Sequence, residues 1–517
     1  MLDDGLLCQA YSEFGKDLPL MMDGDFAFVL LDTQNNTYFC VRDPLGLKAL
    51  YFSKTIEGYH FSSDIDDLLL LPSVNKKPNL RAMRTMMHNL RTVDYTETMY
   101  EGIYRLPPGH FMRIKDGHEK MERYWYPEKI EVNYSITEEE AAKKLKALLS
   151  KAVDKRIGRL EEIAFEVSGG LDSSSVVSLL TQSISPSAID SYSMDFPSMQ
   201  CDENAYIDAL LKKYPLHHQK IASGTLDYHK VYSFKYLYSM SPHWPITLTF
   251  AMLLPMLEQI KDDGKKVIIS GHGGDHLFTG TPYVFYDLFR RFSILTLHEE
   301  LRDYKKPWSV FKGYVVRPLL GEKATRLMKS LLGKKNANLP PKKVDEIVDL
   351  SQTIGIKNPA HKDALDMVTS AAYSTIMDGN FFHCAENYFG IEYRHPFFDL
   401  ELVEFALSLP PELKYKKRTI KWILRKAMDG ILPDKIRDRK DKAEFSELLI
   451  QQIDVLDLNE LLDDPYIVKL GLIEQSLVEK HRKEYEDKTF KSITYLWIII
   501  NVEYWYRYNF EEESLPT

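Results

Sequence analysis

Through the first 130 positions the apolar residues fall in short, strand-length blocks separated by polar turns. Residues 26–31 and 38–41 are two such blocks, joined through Gln34-Asn35-Asn36, a turn sequence suited to a hairpin. Residues 49–52 and 59–61 continue the series, and 65–71 has the spacing of a short helix. Near Pro127 the pattern changes. From Thr137 onward Ala141, Leu145, Leu148 and Leu149 recur at helical spacing. Apolar β-type runs at 163–167, 191–196, 219–221 and 267–269 then alternate with helical stretches, which predicts a parallel sheet covered on both faces. Beyond about residue 280 the pattern is helical. The apolar run 493–502 is about half as long as a bilayer span and predicts a buried C-terminal helix. A basic, polar stretch with Pro and Gly, residues 321–343, predicts a mobile loop. The expected class is α/β, with a β-rich unit at 1–130 and a parallel-sheet unit with a helical C-terminal part at 131–517.

Composition narrows the functions this architecture can serve. With 44% apolar and 27% charged residues, the 517-residue chain is balanced like a soluble protein of two or three domains. Its net charge of −9 gives no overall pull toward nucleic acid or an anionic membrane, so neither is an expected partner. Cys8, Cys40, Cys201 and Cys384 lie far apart without C-x-x-C spacing, which speaks against a disulfide framework or zinc-binding cysteines. The opening Met1-Leu2-Asp3-Asp4 carries acids where a signal peptide needs cations, and a cytoplasmic location is expected.

Two glycine-rich corners carry the chemistry. In the first, the apolar run ending at Val167 gives way to Ser168-Gly169-Gly170-Leu171-Asp172-Ser173-Ser174 and then to a helix. The glycines let backbone N–H groups approach an anion, the helix start adds unpaired donors, and Ser173 and Ser174 add hydroxyls. Asp172 would repel a bare phosphate, but it suits a Mg²⁺ ion bridging to one. A plain strand–turn–helix corner with Asp172 as a helix cap is the alternative, and the full S-G-G-x-D-S-S pattern stands against it. The second corner, Ser270-Gly271-His272-Gly273-Gly274-Asp275, follows another buried run. A parallel sheet brings such ends to one edge, where Asp275 would face Asp172 across the same ion. The first pattern resembles the pyrophosphate loop of ATP pyrophosphatases; the Walker pattern is absent. That resemblance implies AMP and pyrophosphate as products.

The chain as a whole resembles the asparagine synthetase family. The resemblance rests on both corners and on Gly24-Asp25-Phe26-Ala27-Phe28, Arg42-Asp43-Pro44-Leu45-Gly46, Leu106-Pro107-Pro108-Gly109-His110, Arg394-His395-Pro396-Phe397-Phe398-Asp399, Lys421-Trp422-Ile423-Leu424-Arg425 and the run from Arg439 to Phe445. It implies a glutaminase-like sandwich followed by an adenine-nucleotide hydrolase-like adenylating domain. ATP and Mg²⁺ are the implied cofactors. Val167, Ser168, Gly169, Gly170, Leu171, Asp172, Ser173, Ser174, Met194, Ser270 and Gly271 are the implied nucleotide contacts, and Asp172 and Asp275 the metal ligands. Asp275, Arg439 and Lys442 are the implied catalytic groups. Lys440 rivals Lys442 because the loop carries one extra residue.

Departures from the family pattern direct the functional expectation. Glutamine-dependent members begin with a nucleophilic cysteine, and the block at Gly24 normally lies much deeper in the domain. The expectation is a truncated sandwich without glutaminase activity, its exposed strand edges covered by the second domain or another chain. Two glutamates of the family's second corner are here His272 and His276. A histidine can take a proton from an attacking ammonium group, although a loop hydrogen bond is the plainer role for His272. With the cyclase-like Cys201-Asp202-Glu203, these departures favour a lasso-peptide macrolactam synthetase. Its partners would be a precursor peptide or its leader-free core, and a leader peptidase. The alternatives are an ammonia-dependent asparagine synthetase or other small-molecule amide synthetase, and an inactive binding scaffold.

Overall fold

The computed structural model describes residues 4–88, 96–223, 233–245, 250–320, 358–373, 378–441, 443–490 and 493–511. Among the described residues the first unit holds seven strands: β1 (Ala27–Asp32), β2 (Thr37–Arg42), β3 (Tyr51–Thr55), β4 (Gly58–Ser62), β5 (Ile103–Arg105), β6 (His110–Lys115) and β7 (His118–Arg123). They form two antiparallel sheets, in the orders β1-β2-β6-β7 and β4-β3-β5. The expected hairpin joins β1 to β2, with Asn36 in the left-handed conformation that its turn needs. Cys40 of β2 points to a core with Leu50, Phe52, Leu106, Met112 and Ile114, which the two sheets share. Its neighbours Phe39 and Val41 point the other way, toward Phe111 and Tyr11. Tyr11 lies on a helix, Asp4–Phe14, that the sequence pattern did not lead us to expect. Asp43 follows β2. Its carboxylate accepts the backbone N–H groups of Leu45, Leu47 and Lys48 at 3.0 Å each and fixes the turn.

The second unit is built on a five-stranded sheet of β8 (Ile163–Glu166), β9 (Asp190–Asp195), β10 (His217–Ala222), β11 (Val267–Ile269) and β12 (Glu392–Arg394). All pairs are parallel and the order is β10-β9-β8-β11-β12. Side chains alternate between the faces, as a strand period of two requires. Ile163, Phe165, Val267 and Ile269 enter the core under the helix Glu138–Arg156, while Ala164 and Ile268 enter the one holding helices Phe250–Asp262 and Thr494–Phe510. The chain runs outward from β8 through β9 to β10 and then returns to place β11 on β8's other side. The carboxyl ends of β8 and β11 therefore flank a topological switch point, the place where open α/β sheets bind ligands.

Helix Thr494–Phe510 is buried along most of its length, as expected. Its fully buried Glu503 is held by Arg507 at 2.7 Å and by the backbone N–H groups of Tyr466 and Ile467 at 3.1 and 3.0 Å. No helix among the described residues is long and apolar enough to cross a membrane. The two units share one core. Tyr51, Ile65, Met99, Tyr100 and Ile103 pack with Leu237, Trp244, Trp497 and Trp505. The second unit thus packs against the three-stranded sheet, but the expectation of covered strand edges fails at β7, which is largely exposed among the described residues. The outer side of β7 has no partner strand among the described residues, and its charged side chains make a poor template for pairing. The 321–343 stretch expected to be a mobile loop lies outside the described residues.

Candidate active site

Past β8 the backbone stays in the sheet for one more bond, from the Val167 N–H to the Tyr192 carbonyl at 2.8 Å. It then turns at Gly169, whose φ is +71° and whose absent Cβ would lie 3.0 Å from Tyr206 Cβ. Gly170 caps the helix Leu171–Leu180. The Ser168 N–H donates to Ser173 Oγ at 3.2 Å, which closes the loop over the helix start. Ser174 is buried beneath it.

The second corner locks into the first. A Cβ on Gly271 would stand 2.3 Å from the backbone nitrogen of Ser173, and one on Gly274 would stand 2.4 Å from Asp172 Cγ. Both glycines are needed because two backbones cross there. The crossing brings the side chains of Asp172 and Asp275 to one cation, the Lys421 ammonium, at 2.5 and 2.8 Å. Lys421 is 7% exposed and holds a left-handed backbone, φ +54°, at the start of helix Trp422–Ala427. Burial pulls its pKa down, but Asp172 and Asp275 outweigh that and hold it above its ordinary value. Two carboxylates aimed at a shared position, beside a helix start and backbone too close for any Cβ, are the hard oxygen donors that Mg²⁺ takes together with phosphate. These residues fit that ion. It would supply charge neutralisation for a polyphosphate there.

A cavity of about 440 Å³ opens beside the two corners. Ser168, Gly170, Leu171, Asp172, Ser173, Met194, Ser270, Gly271, His272 and Asp275 all line it, as do Arg439 and Lys440. Arg439 bonds to Glu203 and lies over the Tyr206 ring at 4.0 Å. Tyr206 in turn donates to Asp441 at 3.1 Å. Val167, Gly169 and Ser174 shape the loop from behind the cavity surface. Lys442 lies outside the described residues.

His272 packs among the rings of His276, Phe382, His395 and Phe398, at centroid distances of 5.2 to 5.4 Å. Burial lowers its pKa to about 4, with Asp275 opposing. It is therefore neutral at pH 7, able to accept a proton but a weaker base than a free imidazole. His395, bonded through Nδ1 to Ser270 Oγ at 2.8 Å, is pushed well below its usual range by burial. His218, between the hydroxyls of Ser191 and Ser193 on the edge strand β10, is lowered by burial to about 4. In the unfolded chain these imidazoles take up protons near pH 6.5. Below that pH the unfolded state binds more protons, so stability is full above 6.5 and falls as pH drops toward 4. The melting temperature should decline over that window, and His218→Gln should flatten the decline; an unchanged slope would remove His218 from the account.

Two cavity residues escaped sequence reasoning. Lys421 stood in a quoted block without a role, because only the tertiary crossing shows its two carboxylates. Glu166, the last residue of β8, lines the cavity with a pKa raised by burial to about 7; nothing in its strand sequence singled it out. By contrast, Asp399 caps the helix Leu400–Ser408, and Arg394 pairs locally with Glu392 at 2.8 Å.

Comparison with known proteins decides the lineage of this site. Residues 144–507 match the family described as asparagine synthase, and residues 3–125 match a glutamine amidotransferase domain. The chain belongs to the asparagine synthase family. The family match spans both glycine corners, Lys421 and the Arg439 loop, and ATP-dependent amide formation is the chemistry of an asparagine synthase family ligase. Its relatives include asparagine synthetase [glutamine-hydrolyzing] 1 of Bacillus subtilis (strain 168), 23% identical over 99% of this chain and 82% of the relative. A putative asparagine synthetase [glutamine-hydrolyzing] 2 of Methanocaldococcus jannaschii is 24% identical over 54% of this chain and 53% of its own length. The amidase chry2 of Gibberella zeae is 26% identical over 56% of this chain and 44% of its own. Within the asparagine synthase family, the antiparallel sheets thus form the amidotransferase-like part and the parallel sheet the synthetase part.

Proposed function

We propose that this protein uses Mg²⁺-ATP to activate a side-chain carboxylate of a peptide as an acyl-adenylate, with release of pyrophosphate. The peptide's own N-terminal amine then displaces AMP, giving a macrolactam of the lasso type. The observation that carries this reading is the cavity wall beyond the phosphate corners. It includes Phe196, Met252, Leu253, Met256, Phe381 and Phe382, with Glu166, Ser193, Glu203 and Arg425 elsewhere on the lining, and His272 stands beside Phe382. Free aspartate would bring an α-ammonium and an α-carboxylate, and an apolar wall leaves both unsatisfied at a cost of several kcal/mol. A carboxylate within a peptide carries neither charge, and its amide backbone and apolar neighbours suit such a wall.

In this reading Ser168 to Ser173 and the Ser270-Gly271 turn hold the phosphates. Met194 lies against the nucleotide. Asp172 and Asp275 hold the ion, and Arg439 with Lys440 or Lys442 neutralises charge as the adenylate forms and collapses. Neutral His272 takes the proton of the attacking amine. Holding carboxylate and amine in one folded substrate makes the amide step intramolecular.

The test offers aspartate with ammonium, and separately peptides with a free N-terminal amine and an internal Asp or Glu, each with Mg²⁺-ATP. Loss of 18 Da from the peptide, with AMP and pyrophosphate formed, is expected. Asparagine formation with an unchanged peptide mass would defeat the reading in favour of a small-molecule amide synthetase. ADP as the product would defeat adenylation itself.

A further inference from the structure

At the seam between the two units, outside the lining of the cavity just described, Asp64 at the N-cap and Asp66 in the first turn of helix Ile65–Leu69 face His243. One donor atom from each lies within 4.8 Å of the other two. The imidazole's tautomer follows from its other side. Tyr100 donates its hydroxyl proton to Asn509 Oδ1 at 2.9 Å, so the Tyr100 oxygen, 3.2 Å from His243 Nδ1, can only accept. The Nδ1 of His243 therefore carries a proton, and Nε2 is the nitrogen left to meet Asp66 or a metal ion.

That Nε2 is buried, makes no hydrogen bond, and lies 2.9 Å from Asp66 Oδ1. Atoms that close share a cation, which is either a proton on Nε2 or a metal ion. A second-sphere hydrogen bond on the far nitrogen is the arrangement that orients a metal-binding histidine. Asp64 is the N-cap residue of the helix, beside this contact. Its Oδ1 accepts from the Asp66 N–H at 3.0 Å, and its Oδ2 accepts from Asn387 and lies 3.4 Å from His383 Nε2. A cavity of about 40 Å³, bounded by these side chains and Tyr51, gives room for an ion and a water.

We infer that Asp64, Asp66 and His243 form a binding site for a divalent transition-metal ion, Zn²⁺ by donor set, that clips the first unit onto the second. One neutral imidazole and two carboxylates balance the charge of a dication, and nitrogen with oxygen donors is a zinc combination. Donors roughly 2.1 Å from a tetrahedral ion lie about 3.4 Å apart, which small rotations of these side chains achieve. None of the three residues lines the nucleotide cavity, so the site is structural. It is independent of the substrate reading above.

The experiment uses the full-length, tag-free protein, stripped with chelator and titrated with Zn²⁺ by calorimetry, with melting temperature recorded with and without the ion. One Zn²⁺ per chain and a higher melting temperature are expected, both weakened about tenfold or more in Kd terms by Asp66→Asn and His243→Gln. His243 is buried and its variant can fail to fold. Asp66, with a side chain 62% exposed, carries the test because Asp66→Asn should match the stripped parent in circular dichroism. If the parent binds no Zn²⁺, or Asp66→Asn binds it as the parent does, the site is a His–Asp ion pair and the inference is wrong.

Discussion

Asp172→Asn should lower the release of AMP and pyrophosphate from ATP by about a hundredfold or more, on the order of 3 kcal/mol in the barrier. The substitution keeps the shape that packs against Gly274 and removes the charge that Lys421 now balances. An amide oxygen is a poor ligand for Mg²⁺, and the position the two carboxylates share would lose half its negative charge. Folding should survive, because the amide can still accept a hydrogen bond from Lys421. A coupled pyrophosphate assay, with circular dichroism as the control, separates lost chemistry from lost structure. A near-native rate would take Asp172 out of the site.

The second large effect comes from adding a single carbon. Gly271→Ala would place a methyl 2.3 Å from the Ser173 nitrogen, and Gly274→Ala one at 2.4 Å from Asp172 Cγ. At Gly271 the obstacle is backbone, so the two corners must separate. At Gly274 it is the Asp172 carboxyl, which must swing away from Lys421. Both variants should lose activity at least as severely as Asp172→Asn, and Gly271→Ala should also melt several degrees lower, since the crossing lies between β8 and β11. Turnover within about threefold of the parent in either variant would show that the corners do not need this contact during catalysis.

Both corners, the strand-to-helix junctions and the parallel sheet were legible because each is a local pattern: an apolar run, then glycines, then a helical period. β12 was not, since Glu392-Tyr393-Arg394 carries no apolar run, unlike the equally short β11; Arg394 was noticed only within a block of resemblance. The N-terminal helix Asp4–Phe14 was missed because it buries none of its residues and presents only a weak apolar stripe. Of the site, Asp172, Asp275, His272 and Arg439 could be placed from motif and resemblance. The role of Lys421 could not, because a lysine preceding a helix reads as surface until a tertiary crossing surrounds it with acids. His272 likewise read as an ordinary imidazole, and its neutrality comes from the aromatic rings packed around it, which sit on segments more than a hundred residues away.

The core that the two units share has a consequence for biosynthesis. Tyr51, Ile65, Met99 and Ile103 leave the ribosome well before Trp497 and Trp505, which cover them and lie roughly 400 residues further along the chain. At ribosomal speeds of about 5–20 residues per second, the interval is roughly 20–80 s. For that time the nascent chain carries an uncovered apolar face, and the first unit cannot finish folding as an independent body. The gene's message therefore commits the cell to holding an unfinished chain in a soluble state until helix Thr494–Phe510 arrives, a task that chaperones perform.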